Sequence, residues 1–430
     1  MKITISTFGT RGDIEPPLAL AVGLCARGHE VTLVAPEASR TWVQSHGVRW
    51  APLRFDFGAV MYRDDLLALM QRKRYFRYLR ELQRAVQRGS RESLDDLFDA
   101  SRDADFIVQS GFGHGGVEIA AHRDIPMAFL YPFPMAATRA FPSFWGGPRL
   151  PLGGGYNRMT HAIARHVAWR TYGPPLNAWR RERFGWPPWK SYTHMLASGE
   201  ARGAPNLLAF SPAFLPKPDD WNDHQHITGF LALPTPADWV PPSPLRAFLA
   251  DGPPPVYVGF GSMRVRDPVR HTREVLRALA LAGQRGILLV GGGGCLTRMP
   301  ASDRVLFIDE APFHWLLPRV AAAVIHGGAG TTHTVLHAGI PAVVLPHVFD
   351  QPSWAAQVAA SGVGVNGASL RGVKAESLAA AIRTVIDDQG RRGRAARLGA
   401  RMRAENGAER AAVLIERYAA AYPHLRAGHG

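Results

Sequence analysis

The chain has 430 residues, of which 46% are hydrophobic and 20% charged. That length suggests two or three domains, and the normal apolar content excludes low-complexity disorder. No apolar run reaches the roughly 18–20 residues that a bilayer requires. Only Cys25 and Cys295 occur, far apart, so neither a disulfide framework nor a zinc cluster is expected. The first strand runs straight into charged residues, which does not fit a secretory signal, and the expected compartment is the cytoplasm.

The net charge is +15, and nearly all of the positive charge is arginine. No helix-turn-helix, RNP or zinc-finger pattern accompanies it, so nucleic-acid binding is not expected. The densest basic stretch, residues 71–91, has the spacing of an amphipathic helix at Phe76, Leu79, Leu82 and Val86. The favoured interpretation is a helix packed on its own domain. A helix resting on anionic lipid, and hence peripheral membrane contact, stays open.

Strands and helices alternate along the first third of the chain. The sequence predicts strands over 3–8, 29–36, 106–109 and 127–131, a helix over 16–27, and further helical periodicity over 156–185. A proline-dense stretch over 212–255 is interpreted as the tail of a first domain followed by a stiff linker.

The alternation restarts at residue 256. Strands are predicted over 256–259, 286–290, 305–308, 322–326 and 342–345, and helices over 270–283, 313–320, 331–337, 352–360 and 408–421. Alternating elements imply parallel sheets with right-handed crossovers. The predicted fold is therefore α/β, with two doubly wound, Rossmann-like parallel-sheet domains facing each other across a cleft.

The strongest local motif is His326-Gly-Gly-Ala-Gly-Thr-Thr-His333, which follows an apolar strand and opens a helix. Its glycines let the backbone approach a ligand, and the free amides at the helix start favour an anion such as a diphosphate. Asp350 and Gln351 follow the next strand and offer groups suited to sugar hydroxyls. The alternative for the 326–333 motif is a purely structural glycine turn, and the alternative for Asp350 and Gln351 is an ordinary helix N-terminus.

Four motifs in this order resemble the nucleotide-sugar glycosyltransferases of the GT-B fold, in the UGT superfamily (glycosyltransferase family 1). They are Gly9-Thr-Arg-Gly-Asp13, Phe260-Gly-Ser-Met263, the 326–332 motif and Asp350-Gln351-Pro352. The resemblance is strongest to bacterial UDP-glucose:sterol glucosyltransferase-like enzymes and runs along the whole chain. It implies an acceptor-binding domain over 1–235, a nucleotide-sugar-binding domain over 236–405, and a C-terminal helix over 406–430 that packs back on the first domain.

The resemblance also implies roles for individual residues. Asp13 corresponds to the general base. The implied diphosphate contacts are Ser262, His326, Gly328, Gly330 and Thr331; the implied nucleobase contacts are Ala311 and Phe313; and the implied sugar contacts are Asp350 and Gln351. His114 is either an acceptor-pocket residue or a structural histidine. The Glu that often holds the ribose would fall at Thr334, so ribose binding must differ.

The implied reaction is the inverting transfer of a hexose, with glucose expected, from a UDP-sugar or dTDP-sugar to a hydroxyl of a lipophilic acceptor. Together with the resemblance, the apolar side chains of the first domain favour a sterol, terpenoid, carotenoid or polyketide, although none of them is assigned to the acceptor individually: Phe112, Tyr131, Phe133, Met135, Phe141, Phe144 and Trp145. No metal or other cofactor is expected. The alternatives are a non-catalytic glycosyltransferase-like partner, which the intact Asp13 and Asp350-Gln351 pair disfavours, and a GT-B-fold nucleotide-sugar epimerase, which Asp13 within its Gly-Thr-Arg-Gly-Asp motif disfavours.

Overall fold

Two parallel β-sheets organise the chain in the computed structural model, which describes residues 1–61, 63–71, 74–111, 114–145, 147, 149–236, 238–291, 293–300 and 302–427. The chain divides into two compact units. The first unit comprises Met1–Ala209, Lys217–Leu231 and Gly407–Gly430, and the second comprises Phe210–Pro216 and Ala232–Asn406.

The first unit contains a seven-stranded parallel sheet. Its strands are β1 (Lys2–Ser6), β2 (Glu30–Pro36), β3 (Arg49–Leu53), β4 (Phe106–Ser110), β5 (Met127–Tyr131), β6 (Asn206–Leu208) and β7 (Gln225–Ile227), in the spatial order β3-β2-β1-β4-β5-β6-β7. Its helices are α1 (Arg11–Ala26), α2 (Arg40–Gln44), α3 (Phe57–Met61), α4 (Asp64–Gln71), α5 (Tyr75–Ala100), α6 (Gly116–Arg123), α7 (Gly153–Phe184) and α8 (Tyr192–Ala201). Strands β4 and β5 are buried along their whole length, as in a sheet covered on both faces.

The second unit contains a six-stranded parallel sheet. Its strands are β8 (Val256–Gly259), β9 (Gly286–Leu289), β10 (Val305–Ile308), β11 (Ala322–Ile325), β12 (Ala342–Val344) and β13 (Gly364–Asn366), in the order β10-β9-β8-β11-β12-β13. Its helices are α9 (Ser243–Ala250), α10 (Pro268–Leu281), α11 (Phe313–Leu316), α12 (Ala329–His337), α13 (Gln351–Ala360), α14 (Ala375–Asp387) and α15 (Gln389–Ala404). The prediction of two doubly wound parallel-sheet domains is confirmed.

The last helix, α16 (Gly407–Ala427), belongs to the first unit and packs along α1. Arg27 bonds to Glu409 at 2.5 Å and to Glu416 at 2.6 Å, and His29 Nε2 lies 2.8 Å from Glu416. Hydrogen bonds from Arg27 and His29 lower the pKa of Glu416 to about 2, so this carboxylate stays ionised in the ion pair. The chain therefore returns to its first unit after completing the second.

The helix after β1 begins earlier than the sequence predicted. It starts at Arg11 rather than at Pro16, because Thr10 and Asp13 form a capping box in which the Thr10 amide donates to Asp13 Oδ2 at 2.7 Å. The two prolines at 16 and 17 lie inside the helix. Asp13 consequently sits in the first helical turn, not on a free loop.

Residues 75–91 of the basic stretch lie in one helix, α5, which contains all four apolar positions of the predicted amphipathic helix. Helix α4 ends at Gln71 and α5 begins at Tyr75, while residues 72–73 and the side chains of Phe76 and Leu79 lie outside the described part of the chain. Leu82 and Val86 pack into a buried apolar cluster, and arginines of α5 such as Arg84 and Arg88 are exposed. The contacts of the described side chains are those of a helix packed on its own domain.

Candidate functional site

Asp13, in the first turn of α1, and His114, in the connection after β4, follow the two strands at the switch point of the first sheet. Strands β1 and β4 are neighbours, with Ser6 paired to Gln109, and the connections lead away from them in opposite directions. In open α/β sheets, ligands bind outside the carboxyl ends of the strands at this point. The fold therefore places both residues at the edge where a ligand is expected.

Asp13 is half-buried and held by Thr10. Its Oδ2 accepts hydrogen bonds from the Thr10 backbone amide at 2.7 Å and from Thr10 Oγ1 at 3.2 Å. Burial raises the pKa of Asp13 to about 6, although the two hydrogen bonds from Thr10 favour the charged form. A carboxylate with a pKa near neutrality is suited to accept a proton from a substrate hydroxyl.

Gly9 allows the carboxylate to lie against the backbone. Its φ of +126° is one that residues with a side chain rarely adopt, and a Cβ there would lie 2.2 Å from Asp13 Oδ2. Glycine is thus required at position 9 for both conformational and steric reasons, and it sets the position of the Asp13 side chain.

A buried apolar group, which we call the Phe8 cluster, lies next to this loop. It consists of Phe8, Phe55, Val86, Ala168 and Tyr172. The His114 ring packs 5.2 Å from the ring of Tyr172 and 6.4 Å from that of Phe8, measured between centroids. Burial chiefly, together with the charges of Tyr192 and Asp13, raises the pKa of Tyr172. His114 and Asp13 therefore border the same aromatic cluster, which the sequence did not reveal.

The apolar side chains from which the acceptor site was expected to be built, none of them assigned individually, divide into two groups among the described residues. Tyr131, Phe133 and Phe144 are buried core side chains, whereas Met135, Phe141 and Trp145 are half-buried. Phe112 lies outside the described residues. Only the half-buried group is partly open to solvent.

In the second sheet, Ser262 and His326 follow the two strands at the switch point. Strands β8 and β11 are neighbours, with Gly259 paired to Ile325. His326 is buried, and its Nδ1 has no hydrogen-bond partner among the described residues. Burial, with a smaller contribution from the charge of His347, lowers the pKa of His326 to about 4. The imidazole is therefore neutral at pH 7 and carries one N–H donor.

Glycines surround the His326 ring. A Cβ at Gly261 would lie 3.0 Å from His326 Cε1, and a Cβ at Gly328 would lie 2.6 Å from His326 Nε2. Gly327 has a φ of +91°, and a Cβ there would meet Val344 Cγ1 at 2.6 Å. Gly261 and Gly328 thus allow close packing around the imidazole, and Gly327 allows close packing against Val344.

Helix α12 begins within this motif, with Gly328 as its N-cap. Gly328, Gly330 and Thr331 are partly exposed, whereas Ala329 and Thr332 are buried. The Ala329 amide donates to Asp350 Oδ2 at 3.2 Å, so a carboxylate already occupies one of the first amides of the helix. The positive end of the helix dipole and its other early amides favour a further anion here.

Asp350 and Gln351 make several contacts inside the second unit. Asp350 Oδ2 also accepts from Trp354 Nε1 at 2.9 Å. Gln351 is 3% exposed, and its Oε1 accepts from the backbone amides of His347 at 2.8 Å and Val348 at 3.0 Å. Its Nε2 donates to the sulfur of the methionine after Ser262 at 3.3 Å. Gln351 therefore links the loop after β12 to the loop after β8.

Ala311 and Phe313 follow β10, two strands from the switch point. Ala311 is buried, and Phe313 is half-buried at the start of α11 with its ring 5.8 Å from Tyr257 in an edge-on arrangement. The loop holding Ser262 is supported by Gly293, where a Cβ would lie 2.4 Å from the carbonyl oxygen of Gly261. Ser262 itself is half-buried.

No group of three or more His, Cys, Asp or Glu side chains within the described ranges is arranged to hold a metal ion. None of the described helices is long and apolar enough to cross a bilayer.

Sequence comparisons connect this geometry with known proteins. Residues 3–102 match the glycosyltransferase family 28 N-terminal domain, and residues 293–416 match the erythromycin biosynthesis protein CIII-like C-terminal domain. O-mycaminosyltylonolide 6-deoxyallosyltransferase of Streptomyces fradiae is 35% identical over 434 residues, which cover 97% of this chain and 98% of that protein. The chain belongs to the GT-B glycosyltransferases.

This glycosyltransferase is also similar to longer proteins. Sterol 3-beta-glucosyltransferase of Emericella nidulans is 32% identical over 430 residues, and the match covers 97% of this chain but 30% of that protein. The chain thus spans less than a third of the length of this relative. Among solved structures, the glycotransferase of kitacinnamycin superposes with a TM-score of 0.69 at 21% identity, covering 97% of this chain and 98% of that one.

A second structure, Streptomyces sp. SF2575 glycosyltransferase SsfS6 complexed with thymidine diphosphate, has a TM-score of 0.61 at 19% identity, covering 97% of this chain and 99% of that one. These similarities confirm the GT-B fold that the motifs predicted.

Several structural partners in this glycosyltransferase were not predicted from its sequence. They are Thr10 beside Asp13, Tyr172 beside His114, Trp354 beside Asp350, and Met263 beside Gln351. The spacing of Thr10 and Asp13 is that of a capping box and could have located the helix start. Trp354 follows Asp350 by four residues at the start of α13, and the other two pairs join residues that are distant in the sequence and are brought together by the fold.

Proposed function

We propose that this glycosyltransferase transfers a hexose, with glucose as the first candidate, from a nucleoside-diphosphate sugar to a hydroxyl of a lipophilic acceptor. The proposal includes inversion at the anomeric carbon, Asp13 as general base, and no requirement for a metal ion. The observation that carries it is the Asp13 site. There, a half-buried carboxylate with a pKa of about 6 lies at a sheet switch point beside the Phe8 cluster.

The first step follows from the chemistry of that carboxylate. Ionised Asp13 accepts the proton of the acceptor hydroxyl while the oxygen attacks the anomeric carbon. The bond from that carbon to the diphosphate breaks in the same displacement, and the nucleoside diphosphate leaves with the bonding electrons. A single displacement inverts the configuration, so an α-linked donor gives a β-glycoside.

The leaving diphosphate gains negative charge, and the second unit offers groups to stabilise it. We propose that the diphosphate is bound by the early amides of α12 at Gly330 and Thr331 and by the backbone of Gly328. Neutral His326 and Ser262 are proposed as its side-chain contacts. The unpartnered Nδ1 of His326 supports this assignment, because a buried imidazole nitrogen without a partner is costly unless a ligand completes its hydrogen bonding. Fixed donors at the developing charge perform the role that a metal ion has in other transferases.

The sugar and the nucleobase are assigned to flanking loops. Asp350 is half-buried and is proposed to meet sugar hydroxyls, while Gln351 would take part after exchanging one of its present hydrogen bonds. Ala311 and Phe313 are proposed to contact the base, with the half-buried Phe313 ring as a stacking surface. The thymidine diphosphate complex of a structural neighbour supports testing dTDP-sugars beside UDP-sugars.

The proposal of a lipophilic acceptor is supported by the apolar side chains of the first unit and by the names of two relatives. One relative is named for transfer to a tylonolide derivative and another for transfer to a sterol. Both names fit a bulky, lipophilic alcohol, and the Phe8 cluster and His114 are proposed to line its site. His114 would then contact the acceptor from the loop that follows β4.

The test is incubation of the purified protein with UDP-glucose, dTDP-glucose and their deoxy analogues, each with a sterol, a macrolide aglycone and a carotenoid alcohol. Mass spectrometry should detect a glycosylated acceptor with at least one pair. Release of nucleoside diphosphate with no glycosylated product from any pair would contradict the proposed transfer. Absence of donor binding by calorimetry would favour a non-catalytic partner.

A further inference from the structure

One face of α7 exposes a row of large apolar side chains. Leu152, Met159, Ile163 and Val167 are between 50% and 64% exposed. At 100° per residue Met159, Ile163 and Val167 fall within an arc of about 80° and extend about 12 Å along the helix, and Leu152 is the N-cap residue that precedes it. We call them the apolar stripe.

The opposite face of α7 forms the core contacts. Ala168, Tyr172 and Leu176 are buried, and the first two belong to the Phe8 cluster. The helix therefore already buries one complete apolar face inside the first unit, and the apolar stripe is a second one. Four exposed side chains of this size on one helix and its N-cap residue exceed the scattered apolar residues that are normal on a protein surface.

The stretch of sequence that carries the apolar stripe has charged residues of one sign. The sequence from residue 125 to residue 181 contains no Asp or Glu, and it contains arginines at 139, 149, 158, 165, 170, 180 and 181. Arg170 is exposed and lies within the arc of the apolar stripe. The exposed Arg158 lies on the other side of the helix, where, after the hydrogen bond from Thr138, its charge helps to lower the pKa of the Asp220 carboxylate. An exposed apolar row that contains an arginine, on a helix with no carboxylate before Glu182, is the pattern of a helix that lies on an anionic membrane surface.

We propose that the apolar stripe docks this protein on the surface of an anionic lipid bilayer. The four apolar side chains would enter the boundary between head groups and acyl chains, and the arginines would contact lipid phosphates. The proposal rests on exposure and charge alone and is independent of the transfer reaction. A lipophilic acceptor dissolved in the same bilayer would then lie close to the unit that contains Asp13.

Vesicle sedimentation tests the docking directly. The full-length protein is mixed with vesicles of phosphatidylcholine alone or with 30% phosphatidylglycerol, on the order of the anionic content that produces the surface potentials of natural membranes. We expect binding to the anionic vesicles that weakens as salt is raised. Ile163→Ser should weaken this binding by roughly tenfold, because one large aliphatic side chain no longer enters the apolar phase. Arg170→Gln should weaken it by roughly fivefold at low salt.

The matched control is Val240→Ser, which removes an apolar side chain that is 71% exposed in the second unit. It should bind vesicles as the wild type does, and all three variants should melt at the wild-type temperature. Equal binding by the Ile163→Ser and Val240→Ser variants would overturn the proposal, as would no binding to anionic vesicles. A concentration-dependent dimer that Ile163→Ser abolishes would also overturn it, and would assign the apolar stripe to a second copy of the chain.

Discussion

Replacing Asp13 with Asn separates its two roles, because Asn keeps an oxygen that can accept the Thr10 amide but cannot accept a proton. The capping box at the start of α1 should therefore survive. Loss of a general base costs roughly 10²–10⁴-fold in rate. We expect turnover to fall by that factor while the affinity for nucleoside diphosphate, whose proposed contacts lie in the second unit, stays at the wild-type value.

The same substitution should make the protein more stable at neutral pH. The pKa of Asp13 is raised from 3.8 to about 6, so the folded protein binds the proton more tightly than the unfolded chain does. Stability therefore falls as pH rises from about 4 to about 6, and the loss persists above that range. At about 1.4 kcal/mol per pKa unit, the raised pKa lowers the free energy of unfolding at neutral pH by at most about 3 kcal/mol. Solvent screening of the half-buried carboxylate reduces this loss to on the order of 1–2 kcal/mol. Asn does not carry this cost.

The assay compares wild type and Asp13→Asn by urea unfolding at pH 4 and pH 8, beside single-turnover transfer at saturating donor. We expect wild type and variant to be nearly equally stable at pH 4 and the variant to be the more stable at pH 8. We also expect the variant to show a large loss in the rate of sugar transfer. A variant that transfers sugar at the wild-type rate would refute the assignment of the base, and His114 would be the next residue to test. If wild type and Asp13→Asn were equally stable at pH 4 and also at pH 8, the raised pKa of Asp13 would be refuted.

Three further predictions concern the same machinery. The kcat/KM of the wild type should fall about tenfold per pH unit below about pH 6, because protonation removes the base, and a flat profile from pH 4 to 8 would contradict this. Gly9→Ala should lower kcat at least tenfold, because its Cβ would lie 2.2 Å from Asp13 Oδ2, whereas the control Gly12→Ala, whose Cβ meets nothing within 4 Å, should retain activity. Excess EDTA should leave transfer unchanged, and loss of activity restored by manganese would disprove the metal-independent mechanism.

Three strands were predicted from the sequence with the bounds that the structure shows. They are those over 127–131, 256–259 and 305–308, and each is a short apolar run preceded by proline or polar residues. Strands β3, β6, β7 and β13 were missed. Three of these four are only three residues long, and the apolar period in such a short run is too weak to identify.

The candidate site was predictable at the level of loops but not of side-chain contacts. The glycine motifs place Asp13, Ser262 and His326 at strand ends, since parallel topology brings those ends to one edge of each sheet. The sequence did not show that the carboxamide of Gln351 is buried and bonded to backbone amides, because that depends on the path of the preceding loop. It also did not show that Trp354 binds Asp350, since an indole at that spacing on a helix serves equally well as core.

The anomeric configuration of the product tests the central claim most directly. The wild-type protein is supplied with an α-linked nucleotide sugar and its acceptor, and the coupling constant of the anomeric proton is read by NMR from the purified glycoside. A single displacement assisted by Asp13 predicts a β-glycoside. An α-glycoside would require retention of configuration and would contradict the proposed reaction.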